Sequence, residues 1–63
     1  MERYATQDGS REMILNRVGD NDYRITLASG HRCETIKRFI YLQAAQRYIR
    51  STAALFGMME KWN

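Results

Sequence analysis

Residues Tyr23 to Gly57, YRITLASGHRCETIKRFIYLQAAQRYIRSTAALFG, read as a strand, a turn, a second strand and one amphipathic helix. Tyr23, Ile25 and Leu27 alternate with Arg24, Thr26 and Ala28, the period-two pattern of a strand with one buried face. Ala28-Ser29-Gly30-His31 is a turn, and Arg32 to Phe39 is a further strand with Ile36 as its best inward candidate. From Tyr41 the period becomes helical. Leu42, Ala45, Ile49, Ala53 and Phe56 form one stripe, with Tyr41, Ala44, Tyr48, Thr52 and Leu55 beside it and Gln43, Gln46, Arg47, Arg50 and Ser51 opposite. Gly57 stands where a C-cap glycine belongs. A helix start at Thr35 also satisfies the spacing, because Ile36, Phe39 and Ile40 fit a helical period.

Upstream, Met13–Val18 is strand-like and joins Tyr23 through Gly19-Asp20-Asn21-Asp22, residues that tolerate the left-handed backbone of a hairpin turn. Met1–Ser10 is polar, with Asp8-Gly9-Ser10 as a turn or flexible segment. The expected fold is α+β: a β-β-β-α domain over residues 11–63, a three-stranded antiparallel sheet on one C-terminal helix, behind a flexible lead-in over 1–10. Its core is Ile25, Leu27, Ile36, Leu42, Ala45, Ile49 and Phe56. The helix's apolar arc is wider than three short strands cover. Either the core is thick for so small a domain, or a second contact exists, most simply a homodimer through Tyr41, Tyr48, Leu55 and Trp62. Met58, Met59 and Trp62 follow the helix cap; they either fold over the open edge of the core or dock on another chain.

Sixty-three residues allow one domain, and a chain this short buries only about 60% of its unfolded surface. The single Cys33 cannot form an intramolecular disulfide and fits a reducing cytoplasm. No apolar run reaches the length of a signal peptide or a membrane span, so the expected location is cytoplasmic, with no membrane partner. His31 and Cys33 lie two apart, but there is no other His or Cys to complete four zinc ligands. A Cys–His nucleophile pair would need an oxyanion site and a pocket, which nothing else in the chain suggests. His31 reads as a turn residue and Cys33 as a small buried apolar group. No cofactor, metal or enzymatic activity is expected.

The net charge is +3, and eight of the ten basic residues are arginine. Arginine presents a planar fork suited to phosphate and to guanine edges, where lysine offers a point charge. Between Arg11 and Arg50, eight basic residues face only Glu12, Asp20, Asp22 and Glu34. The balance leans toward an acidic partner.

Tyr23-Arg24-Ile25-Thr26-Leu27, Gly30, Phe39, Ala44-Ala45, Tyr48 and Leu55-Phe56-Gly57 together resemble the second half of the ethylene-response-factor (APETALA-type) DNA-binding domain. They are equally similar to its relatives in phage homing endonucleases and in the arm-binding domains of tyrosine integrases. The resemblance covers about the last two thirds of the chain, and its motifs are short. Three departures stand out: Gly30 to Phe39 is one residue longer than in the family, Lys37 replaces a glycine, and Ile49 replaces an acid. The family's sheet tryptophan is also missing, with Tyr23 the nearest substitute. The resemblance implies a sheet lying in the DNA major groove. By position, Arg24 and Thr26 then occupy the exposed register of the middle strand, while charge and placement add Arg17 and Arg32 as neighbours on the flanking strands. Glu34 would repel a phosphate there. As ordinary outer-face residues, all four would simply be solvated.

Two functions follow. One is a small DNA-binding protein using an arginine-bearing sheet face, such as a phage or mobile-element accessory factor that contacts duplex DNA. The other is a small inhibitor or adaptor of phage type that binds an acidic protein partner through its helix and its Met-Met-Trp tail.

Overall fold

The computed structural model describes residues 2–61. Its elements are β1 (Glu2–Ala5), β2 (Arg11–Gly19), β3 (Asp22–Ser29), β4 (Arg32–Phe39), α1 (Leu42–Leu55) and β5 (Met59–Glu60). The strands form one antiparallel sheet of five, ordered β4-β3-β2-β1-β5. The α+β class and the C-terminal helix match expectation, but the sheet has five strands, not three. Glu2–Ala5, expected inside a flexible lead-in, pairs along Glu12–Leu15 of β2. Tyr4 anchors it by burying its ring in the core, and the pairing satisfies backbone groups that β2 would otherwise leave to solvent. The tail adds the fifth strand, with Met59 opposite Ala5 and Glu60 opposite Tyr4.

Alternation sorts the sheet into two faces. Tyr4, Met13, Leu15 and Ile25 point to the helix and are buried against Ala45, Ile49 and Ala53 of α1, with Met58 closing the end. Those three helix residues repeat every fourth position, so they line one face. Two of them are alanines, small enough to bring the helix close to the sheet. Leu27, Ile36, Leu42 and Tyr48 pack around this cluster half-buried. Phe56, expected in the core, is instead 59% exposed. The helix ends at Leu55, where the chain turns away through Gly57 (φ +67). The Gly57 N–H donates to the Ala54 carbonyl and the Met58 N–H to that of Ala53, which is the Schellman pattern. That turn swings Met58 inward and leaves Phe56 outside.

The helix starts after Tyr41, in extended backbone (φ −118, ψ 133), so of the two starts the spacing allowed, the later one is realised. What had made Thr35 plausible is a β-bulge. Ile25 opposes Lys37 while Thr26 opposes Thr35, leaving Ile36 as an extra residue in β4. One extra residue reverses the in–out alternation beyond it. Phe39 therefore reaches the helix side, where its ring meets Tyr48 at 5.4 Å, and Arg38 emerges on the other face.

Candidate nucleic-acid interface

The face of the sheet away from α1 is built from three rows of side chains. Register across the strands gives Met59, Ala5, Glu12, Ala28 and Cys33 in one row. The next holds Arg3, Ile14, Thr26 and Thr35, extended by Lys61, whose N–H donates to the Arg3 carbonyl. The third holds Asn16, Arg24 and Arg38. Cys33, expected to be buried, is exposed on this face, because β4 is an edge strand and nothing lies over it. His31 sits in the β3–β4 turn next to Gly30, whose positive φ (+62) is the value a tight hairpin asks of its first central residue.

Of the four residues singled out for DNA, Arg24 and Thr26 lie on this open face. The structure does not bring Arg17 and Arg32 to them. Arg17 is opposite Tyr23, and Arg32 opposite Ser29, both in the register that points to the helix side. Arg17 is further tied down by the Gly19 carbonyl at 3.3 Å and the Asp20 carboxylate at 2.9 Å. Glu34 goes with them: it opposes Leu27, so its charge stands away from the open face. In place of Arg17 and Arg32, the bulge supplies Arg38, directly across from Arg24. The sequence signal for Arg38 is the odd spacing of Ile36 and Phe39. Two inward apolar residues three apart cannot share a face of a regular strand.

Ion pairs set the charge of the face. The Arg3 Nε and Nη2 donate to both oxygens of Glu12 at 2.9 and 3.0 Å. The bond from Arg3 holds the Glu12 carboxyl below its ordinary value, against a smaller upward push from burial, and the Lys61 charge helps. Arg24 donates to Asp22. Arg38 has no carboxylate within ion-pair distance among the described residues. Four cations (Arg3, Arg24, Arg38, Lys61) thus meet two anions (Glu12, Asp22), and the surplus of two is split between Arg38, across from Arg24, and Lys61, beside Arg3. Among the described residues β1 accompanies β2 only as far as Leu15, so at that row the sheet is three strands wide, roughly 10 Å between outer strand axes.

On the opposite side, Arg50 donates to both oxygens of Glu2 at 3.1 Å. Burial pushes the Glu2 carboxyl up, but bonds from Arg50 and Tyr4 more than offset it, and the net shift is downward. Of the expected interface residues, Tyr48 is half-buried against Phe39, Tyr41 and Leu55 are 68% and 84% exposed, and Trp62 lies outside the described residues. No helix among the described residues is long and apolar enough to cross a membrane. No protein-family model, curated protein or solved structure matches this chain, so the functional argument rests on the site.

Proposed function

We propose that the protein is a small duplex-DNA-binding module that uses the open face of its sheet. The observation that carries this reading is the Arg24–Arg38 pair. Like charges placed directly opposite on neighbouring strands destabilise a sheet, and a polyanion laid across them converts that cost into binding. Arg24, Arg38, Thr26, Thr35 and Asn16 supply donors for phosphates and base edges, and arginine bidentate to guanine is the commonest specific major-groove contact. The three-strand width at this row suits a major groove about 12 Å wide. The face carries no aromatic ring among the described residues, and modules that hold single strands rely on such rings for stacking. A duplex is therefore the better fit.

The test is salt-dependent binding of short duplexes, with single strands as competitors. Wild type should bind at micromolar protein, with affinity falling steeply as salt rises. Arg24→Ala and Arg38→Ala should each cost about 1–3 kcal/mol where a base is read, or lower the salt slope by about one where only a phosphate is met. Arg50→Ala, across the molecule, should leave DNA binding unchanged. A second reading, a protein partner, is favoured by Leu55 and Phe56 standing exposed side by side at the helix end. Binding to a protein that scarcely responds to salt, with no shift of duplex DNA, would replace the first reading by the second.

A further inference from the structure

We propose that Arg24 and Arg38 together hold one phosphate of a nucleic-acid backbone, and that Asp22 occupies Arg24 in the phosphate's place while the face is empty. The inference rests on the DNA reading above and adds to it a residue, Asp22, and a step, the exchange of one anion for another.

Asp22 and Arg24 are two apart on β3 and share a face. The Arg24 Nε and Nη2 donate to the two Asp22 oxygens at 3.3 and 3.2 Å. Charge-assisted bonds of this kind usually run about 2.7–2.9 Å, and Arg3 reaches Glu12 on the same face at 2.9 and 3.0 Å. The grip on Arg24 has both arms but is loose. Its side chains are 31% and 36% exposed, so water screens the pair and little is lost when it opens. Arg38, opposite, has no such partner among the described residues. A carboxylate engaging one guanidinium fork presents both its oxygens to that fork. A phosphodiester spreads its charge over two oxygens on a tetrahedral centre, and can accept from a guanidinium on either side. Residues directly opposite in a strand pair have Cβ atoms about 4.5–5.5 Å apart, a gap that two arginine side chains can close around one group. Asn16, opposite Arg24 on β2, adds a neutral amide. Asp22 therefore holds Arg24 ready while repelling stray anions, and yields to one that Arg38 also grips.

Asp22→Asn keeps the side chain's size and removes its charge. The readout is the pair of Nε–Hε NMR signals of Arg24 and Arg38 during titration with a short DNA duplex, with inorganic phosphate and anionic phospholipid vesicles as separate arms. Both signals should move together on duplex. Asp22→Asn should bind duplex on the order of threefold to tenfold tighter, the strength of one surface charge contact, with a salt slope steeper by about one. That gain should vanish in an Arg24→Ala background. A gain that persists there makes Asp22 a remote charge and overturns the exchange; so does unchanged affinity in Asp22→Asn. Duplex binding that moves neither signal overturns the site and leaves the DNA reading standing. Shifts with inorganic phosphate but none with duplex sink the DNA reading and the nucleic-acid source, while sparing the anion exchange. Preference for vesicles likewise overturns the nucleic-acid source.

Discussion

Asp8 gathers three donors onto one carboxylate oxygen: the Thr6 hydroxyl at 2.8 Å, the Ser10 hydroxyl at 2.8 Å and the Ser10 N–H at 3.0 Å. Those bonds, the Ser10 N–H first, hold its carboxyl down from the usual 3.8 to about 2, since each favours the charged form. The lowered value means that the ionised Asp8 stabilises the folded state above the unfolded pKa, and that this contribution fades as pH falls toward the folded one. Carbon-detected NMR should place the Asp8 midpoint near 2. The melting-temperature gap between wild type and Asp8→Asn should shrink on acidification from about pH 5 to about pH 2; a gap constant across that range would remove the hydrogen-bonded turn. Asp8-Gly9-Ser10 was legible as a turn, because those residue types favour one. The gathering of three donors on one oxygen was not, because that depends on how Thr6 and Ser10 close around the carboxylate. Arg24 and Thr26 were placed by simple alternation, whereas Arg17 and Arg32 were grouped with them by charge and by placement on the flanking strands, and neither of those fixes a face.

At the scale of the element, the helix tests the core. Ile49 is fully buried and Phe56 is not, so Ile49→Ala should cost about 2–5 kcal/mol, while Phe56→Ala should stay near about 0.5 kcal/mol. Thermal melts of the two variants decide it, and equal losses would mean that the helix end packs differently. The N-terminus of α1 is an unused opportunity. Tyr41 makes no side-chain capping bond, and the first turn holds no acid. Tyr41→Asp should therefore add roughly 0.5–1 kcal/mol by accepting from the orphan N–H groups and complementing the helix dipole. If Tyr41 instead seats in a second copy, the same change weakens self-association in sedimentation runs. The helix was readable because its apolar period is long and unbroken. β4 was ambiguous because the bulge sets Ile36 and Phe39 three apart, a spacing that a bulged strand and a helix both produce. β1 and β5 were invisible: four residues with Tyr4 as their chief apolar anchor, and two residues after a cap, carry no periodicity to detect.

For the molecule as a whole, the helix covers one face of a five-stranded sheet and leaves the other to the arginines. If DNA binds the open face as proposed, stability and recognition fall to opposite sides of the same strands, and Arg24→Ala and Arg38→Ala should weaken DNA binding without lowering the melting temperature, since each also removes one of two opposed like charges. β5 has a different consequence. It runs antiparallel to β1, and the Lys61 N–H donates to the Arg3 carbonyl at 2.7 Å, so residues 3 and 61 are neighbours although they lie near opposite ends of the chain. The path of the backbone is nearly a ring. A circular permutant that joins the two ends by a short Gly-Ser bridge and opens at Asp20-Asn21 should keep every strand pairing, β2–β3 included, and lose only the covalent turn. It should melt cooperatively with the far-ultraviolet circular dichroism of the parent, and loss of that spectrum would mean that the β2–β3 hairpin must form first. Residues 3 and 61 thus meet at the β1–β5 edge, which lies across the sheet from β4 and its Arg38.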